Sequence, residues 1–392
     1  MNGTVDDPRP LIVHLVYRFG IGGLENVIVN LINRLRVDAY RHSIVALTEI
    51  TDFRDRITRS DVEYVALGKG PGHALHLYPR LWKYFRATAP TVLHTCNLAA
   101  LEAVVPAFAA GVPIRVHAEH GWDLTDPDGS RTKYQLMRRA YRPFVSHYVA
   151  VSRQLTDYLT RRVGIGARHV SMILNGVDTE HFRRGEVPGP LPGFPFQSRH
   201  DWVVGSVGRM QHVKNPTLLA RAFVRALSLE PAARRTMRLA MVGDGPLREA
   251  CAAILENAGC GELAWIPGEG QDIAALMRRL DCFVLPSLAE GTSCTLQEAM
   301  ASALPVVATD VGGNADLISH GADGTLVCSD DVDAMAGAIL AYWRDPNLGR
   351  RHAAAARERA VSLFDVSAMV SAYDGLFTRL LRVGQLAHSH SA

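Results

Sequence analysis

The sequence contains no long hydrophobic run. None of its apolar stretches approaches the roughly 18 to 20 residues that would span a bilayer, so no transmembrane helix is expected. It also lacks any C-x-x-C pair. Its cysteines, Cys96, Cys251, Cys260, Cys282, Cys294 and Cys328, are scattered, and a chain of 392 residues needs no disulfide staples. They are read as reduced thiols, which points to the cytoplasm. Blocks of Lys and Arg are missing, as is any nucleic-acid-binding motif, so nucleic acid is not expected as a partner. The opening MNGTVDDPRP has no basic n-region followed by an apolar core, so a secretory signal is not expected.

What is present is a balanced globular composition, with 48% hydrophobic and 21% charged residues. The length suits two domains of similar size. Charge is uneven. Residues 1–190 carry 24 Lys+Arg against 18 Asp+Glu, and the rest carry 18 against 21. A mildly basic first half suits an anionic partner or surface.

Short apolar runs alternate with amphipathic ones. LIVHLVYRF (11–19), HSIVALT (42–48), VEYVAL (62–67), TVLHTC (91–96), IRVHAEH (114–120), HYVAVS (147–152) and SMILNG (171–176) read as strands. The stretch 183–200 has four prolines, three glycines and no period, and reads as a linker. Alternation then restarts with DWVVGSVGR (201–209), MRLAMVGDG (237–245), LAWIPG (263–268), DCFVLPS (281–287), LPVVATD (304–310) and TLVCS (325–329). The chain is therefore read as α/β, with doubly wound parallel sheets in a first domain, 1–182, and a second, 201–370. A final helical segment, 371–392, is expected to pack back toward the first domain and to fray at its end. Ligands of such sheets sit at the carboxyl ends of the strands.

Three stretches invite chemistry. In YRFGIGGLEN a strand meets Gly20, Gly22 and Gly23 and then a helix, whose free N–H groups suit an anion. The dinucleotide fingerprint would need glycine where Glu25 stands; the plain alternative is a tight turn. In VGRMQHVKN, Arg209 and Lys214 can converge on a diphosphate, or be two solvated cations. In EGTSCTLQEAM, Glu290 and Glu298 bracket small and polar residues. Carboxylates there can accept from the paired hydroxyls of a sugar or ribose; the alternative is a capped helix with one exposed glutamate.

Taken in order, FGIGGLENV, VHAEHGWD, AVSRQLTDYL, ILNGVDTEHF, GSVGRMQHVKN, MVGDGPL and EGTSCTLQEAMASALPVVATDVGGNADLI resemble glycosyltransferase family 4, retaining enzymes of the GT-B fold. FVLPSLAEGTS, GGNADLI and AEHGWD are most similar to the exopolysaccharide sugar transferases of exosortase (PEP-CTERM) systems. The resemblance implies two Rossmann-like domains facing across a cleft and transfer of a sugar from a nucleotide-diphosphate sugar to a hydroxyl acceptor. It implies that Glu298 binds the ribose, Glu290 contacts the transferred sugar, and the backbone of Gly291, Thr292, Ser293, Cys294 and Thr295 lines the sugar and phosphates. Arg209 and Lys214 match the pair on the diphosphate. Gly22 and Gly23, in the first of these stretches, are taken as substrate-binding candidates. His120 matches the histidine near the reacting sugar, with His117 and His94 as competitors. The chain departs from the family at Thr292-Ser293, usually Phe-Gly, at Leu174, usually Pro, and at Asp316, usually a longer Glu.

No metal and no cofactor beyond the donor substrate is expected, because the two D-x-D matches, Asp126-Pro127-Asp128 and Asp331-Val332-Asp333, read as a turn and a helix start. The rival functions are a nucleotide-sugar 2-epimerase of the same fold and a non-catalytic lobe of a polysaccharide synthase. The expected acceptor is a saccharide or lipid-linked saccharide. HLYPRLWKYFRA (76–87) and KYQLMRRAYRPF (133–144) mix cations with aromatics, which suits an anionic headgroup layer at the inner face of the plasma membrane. The plain alternative is two helices packed on the sheet.

Overall fold

In the computed structural model, the described residues are 7–122, 126, 128–185, 191–270 and 272–389, with side chains described to 383. Asp123 of the AEHGWD motif, Pro127 of the first D-x-D match, residues 186–190 of the stretch read as a linker and residues 390–392 of the tail lie outside them. The chain forms two compact units, 1–175 with 367–392, and 176–366. The stretch 191–200 lies in the second unit, where Phe194 and Phe196 are buried and Phe194 meets Trp265 edge to face, with ring centroids 5.2 Å apart.

The first unit holds a seven-stranded sheet: β1 (Leu11–Val16), β2 (Arg41–Ala46), β3 (Val62–Ala66), β4 (Val92–Cys96), β5 (Ile114–Glu119), β6 (His147–Ala150) and β7 (Val170–Met172). Its order is β3-β2-β1-β4-β5-β6-β7, and every pairing is parallel. The second unit holds β8 (Trp202–Val207), β9 (Met237–Val242), β10 (Ala264–Gly268), β11 (Cys282–Leu285), β12 (Val306–Thr309) and β13 (Thr325–Val327). Its order, β10-β9-β8-β11-β12-β13, repeats the same winding, again all parallel. Central strands such as β1, β4, β11 and β12, buried along their whole length, read as short apolar runs, while the edge strands β3, β7, β10 and β13 are only partly covered. In each unit the order reverses beside the first strand, between β1 and β4 and between β8 and β11. Such a switch point splays the flanking loops and leaves a crevice at the carboxyl ends.

Helices cover both sheets. Gly23–Arg34 buries Val27, Ile28, Leu31 and Ile32. Pro216–Leu229 buries Leu218, Leu219, Phe223 and Leu227 in the core of the second unit. Helix Val366–Ser389 contributes Tyr373 and Phe377 to the first unit, both edge-on or tilted to neighbouring rings, and Tyr40 donates to Asp374 at 2.8 Å. Among the described residues, no helix is long and apolar enough to cross a membrane.

The two mixed cation–aromatic segments are both helical, Tyr78–Thr88 and Thr132–Tyr141. Arg80 of the first helix donates to the Leu67 carbonyl at 2.8 Å, and what sets the second helix apart is Arg138. Arg80, Lys83, Arg86 and Trp82 are exposed, while Leu81 and Phe85 face the core. In the second helix Arg138 is buried against Glu119, so it is not part of a headgroup-facing stripe. Arg139 donates to the carbonyls of Arg162 and Val163, and Arg142 to that of Gly164. The reason is a carboxylate at the end of β5, 19 residues away in sequence, that requires a partner inside.

Candidate functional site

In the second unit, a pocket opens at the carboxyl ends of β8, β9 and β11, at the switch point. Gly208, Arg209, Met210, Lys214 and Ser287 are among its lining residues. Arg209 is exposed and leaves the end of β8. Lys214 closes a short 3-10 turn, His212–Lys214, before helix Pro216–Leu229. The backbone ties this turn to the neighbouring loop, since Leu288 N donates to Val213 O at 2.8 Å.

Glu290 lies in the loop between β11 and helix Cys294–Ala301. Its Oε1 accepts from Lys214 Nζ at 2.6 Å and from Ser287 Oγ at 2.6 Å. The carboxylate is 6% exposed and the lysine 25%, so the charge pair lies at the pocket wall with the lysine turned to water. Ser287 is itself fixed: its carbonyl accepts from Thr309 Oγ1 at 2.6 Å, and the Thr309 carbonyl accepts from Asn314 Nδ2 at 2.9 Å. Gly312 lies directly on this loop. Its φ is +56°, and a Cβ there would sit 1.8 Å from the Glu290 carbonyl oxygen, so no other residue fits.

Ser293 is the N-cap of helix Cys294–Ala301, accepting from Leu296 N at 3.3 Å. Its hydroxyl also meets Thr295 Oγ1 at 3.2 Å. Gly291, Thr292 and Ser293 are buried, Cys294 and Thr295 half-buried. Glu298 lies in the second turn of this helix and is half-buried. Carboxylates thus stand before and within one short helix, and the pocket cations come from the adjacent strand-end loop. The two D-x-D matches have local duties. Asp126 accepts from Arg131 N and Asp128 from Ser130 N, while Asp331 caps helix Val332–Arg344 by accepting from Ala334 N at 2.8 Å.

In the first unit, Gly22, Gly23 and His120 follow the carboxyl ends of β1 and β5. Gly22 is the N-cap of helix Gly23–Arg34. A Cβ on it would fall 2.2 Å from Glu25 Oε2, so a carboxylate already lies at the positive end of this helix. His120 is positioned through its backbone: its N–H donates to Asn97 Oδ1 at 2.7 Å. Asn97 follows β4 with φ +60° and ψ 166°, a strained backbone conformation outside the left-handed helical well. Burial draws the His120 imidazole down to a pKa of about 4, against the opposing effect of Asn175 and the Glu119 charge. It is neutral at pH 7.

The competing histidines are buried and already engaged with neighbouring side chains. His117 is fully buried between Thr95 Oγ1 at 2.9 Å and Glu119 Oε1 at 3.2 Å. His94 is fully buried, with its Nδ1 3.0 Å from that of His14. Of the three, His120 alone keeps partial exposure. Burial would raise the Glu119 carboxyl, but Arg138 and then His117 outweigh it and hold it at about 2. Sequence reasoning missed Ser287, Thr309, Asn314 and Asn97. The signal available was small polar residues at strand ends, in LPS, VVATD and HTCN, and at the helix start in GGNADLI.

Comparison with known proteins gives the same assignment. Residues 21–181 match the model described as Glycosyltransferase Family 4, and residues 201–345 that described as Glycosyl transferases group 1. A lipopolysaccharide core biosynthesis mannosyltransferase, LpcC of Rhizobium leguminosarum bv. viciae, is 33% identical over 54% of this chain and 60% of its own length. A UDP-Gal:α-D-GlcNAc-diphosphoundecaprenol α-1,3-galactosyltransferase of Escherichia coli is 25% identical over 68% of this chain and 69% of its own. The matches therefore span about three-fifths to two-thirds of these relatives. Among solved structures, Anabaena Alr3699/HepE in complex with UDP-glucose superimposes with a TM-score of 0.76 at 20% identity, covering 94% of this chain and 99% of that one. With the two family models spanning most of both units and this likeness of fold, the chain belongs to the family 4 glycosyltransferases of GT-B fold.

Proposed function

We propose that the protein transfers a sugar from a nucleotide-diphosphate donor to a hydroxyl acceptor, with retention of anomeric configuration, in the building of a bacterial polysaccharide. The observation that carries this reading is the Lys214–Glu290 pair, 2.6 Å apart, beside Arg209 at the switch point of the second sheet. In the proposed complex Arg209 and Lys214 take the diphosphate, Glu298 the ribose and Glu290 the transferred sugar. As the glycosidic bond breaks, negative charge grows on the leaving phosphate. Lys214, held in place by Glu290, and Arg209 beside it would stabilise that charge. Lys214 then lies between the Glu290 carboxylate and the phosphate and screens one anion from the other. This chemistry runs without a metal in the proposal. The likeness to a fold solved with UDP-glucose and the printed activities of the relatives support a nucleotide-sugar donor.

The first unit supplies the acceptor surface and His120. Its imidazole, neutral at working pH, can accept a hydrogen bond from a sugar hydroxyl or donate one. With Glu25 already at the helix start behind Gly22, hydroxyl groups suit this loop better than a phosphate. A lipid-linked acceptor would bring the protein to the inner face of the plasma membrane. Exposed Arg80, Trp82, Lys83 and Arg86 on helix Tyr78–Thr88 fit an anionic headgroup layer there.

The test is a panel of UDP-, GDP- and ADP-sugars scored for thermal stabilisation and slow donor hydrolysis. One family of donors should stabilise the protein and release nucleoside diphosphate. Conversion of the donor to its 2-epimer would instead identify an epimerase, and no response to any donor would identify a non-catalytic lobe.

A further inference from the structure

We infer that His94, Cys96 and His120 form a binding site for a divalent transition cation of borderline softness, Zn²⁺ by its ligand chemistry. One ligand atom from each of the three lies within 4.8 Å of the others. His94 Nε2 and Cys96 Sγ are 3.8 Å apart. Bond lengths of about 2.0–2.1 Å to nitrogen and 2.3 Å to sulfur put tetrahedral ligand atoms about 3.6 Å apart, so a small inward movement completes the edge. Two imidazoles and a thiolate are a donor set that zinc favours and that magnesium and calcium do not.

The surroundings hold the ligands in place. His94 Nδ1 meets His14 Nδ1 at 3.0 Å, and His14 Nε2 meets His42 Nδ1 at 3.1 Å. With Nδ1–H donated to His14, His94 turns the lone pair of Nε2 toward Cys96. A hydrogen bond on the far nitrogen is the usual support of a metal-bound histidine. These rings come from adjacent parallel strands, with His14 opposite His94 in register. The negative charge of Glu25 acts on Cys96 and favours a cation. Burial keeps the free thiol protonated, so binding forms an S–Zn bond and releases one proton to solvent. His120, the one member with any residue exposure, marks the side of entry, although its two ring nitrogens are themselves buried. Three protein ligands leave a fourth position for water.

The site goes beyond sugar transfer and does not rest on it. Where His120 serves transfer, an occupied site withdraws its ring, so Zn²⁺ inhibits while Mg²⁺ has no effect. The experiment is a Co²⁺ titration of the chelator-treated full-length protein without any sugar. One equivalent should produce tetrahedral d–d absorption and a thiolate-to-cobalt charge-transfer band, both removed by Zn²⁺. Cys96→Ala and Cys96→Ser should each abolish the charge-transfer band and weaken Zn²⁺ binding at least tenfold. Cys328→Ala, on an exposed thiol, should leave it intact. Absence of the band in the wild type overturns the inference, whether or not the variants fold. So does a band that persists in either folded Cys96 variant.

Discussion

Replacing Lys214 by alanine removes one of the two donors on Glu290 Oε1 and leaves a carboxylate that is 6% exposed. Deleting one partner of a fully buried pair costs about 3–5 kcal/mol. Here the lysine is 25% exposed, and Ser287 still donates to the same oxygen at 2.6 Å, so water and the serine offset part of the loss. The lower range for a charged hydrogen bond applies, about 2 kcal/mol of stability. Glu290→Gln keeps the shape and an acceptor for Ser287, and frees an ammonium that water can reach, so it should cost about 1 kcal/mol or less. Activity separates the roles further. If Lys214 holds the leaving diphosphate, its loss should lower turnover by about 2.7–4 kcal/mol, a factor of about 10² to 10³. Glu290→Gln should lower kcat with KM little changed, because its contact strengthens as the sugar becomes cationic. Since the two side chains touch, the double variant should fall short of additivity by about 0.5–3 kcal/mol. The assay is kcat and KM for all three variants, with thermal unfolding to confirm the fold. Near-normal turnover in a folded Lys214→Ala protein would refute the reasoning outright. A double variant no worse than Lys214→Ala would show that Glu290 acts only by positioning the lysine.

Arg209→Ala should slow turnover by a similar factor with little loss of stability, because the side chain is exposed, and EDTA should leave activity largely intact; a strict divalent requirement would contradict the metal-free mechanism. Glu298→Gln should mainly raise KM for the donor, as measured by steady-state kinetics, and a pure kcat effect would exchange its role with that of Glu290. The pKa of His120 is lowered to about 4 from an ordinary 6.5, so unfolding takes up a proton between those values; stability should fall as pH drops from 6.5 toward 4, while kcat should show no limb near 6.5, and an NMR titration of His120 near 6.5 would contradict both. Charge reversal at Arg80, Lys83 and Arg86 should abolish flotation with anionic liposomes at low salt without unfolding; a wild type that ignores such liposomes removes the membrane reading.

The fold was legible because parallel strands carry their signal locally. IRVHA or CFVL need no partner to be read as a buried strand. The paired glutamates and the Arg209–Lys214 spacing were legible for the same reason, each lying within a few residues. What the sequence hid depends on contacts between distant segments. Nothing in KYQLMRRAY reveals that Arg138 points inward, because its partner Glu119 belongs to another element. His14, His42 and His94 look like scattered histidines until the strand order β2-β1-β4 lines them up. Ser287 looks like a turn residue, and its role on Glu290 emerges only when Thr309 and Asn314 fix the loop from the next strand. The Pro/Gly-rich stretch 183–200 has no period, yet two phenylalanines suffice to dock part of it on Trp265.

The central claim is that the second unit holds a nucleoside diphosphate through Arg209 and Lys214. Isothermal titration of UDP, GDP and ADP into the wild type and into the Arg209→Ala/Lys214→Ala double variant tests it most directly. One of the three nucleotides should bind the wild type with one-to-one stoichiometry, and its affinity should fall at least a hundredfold in the folded double variant. Binding of equal strength to both proteins, or no binding of any of the three to the wild type, would contradict it.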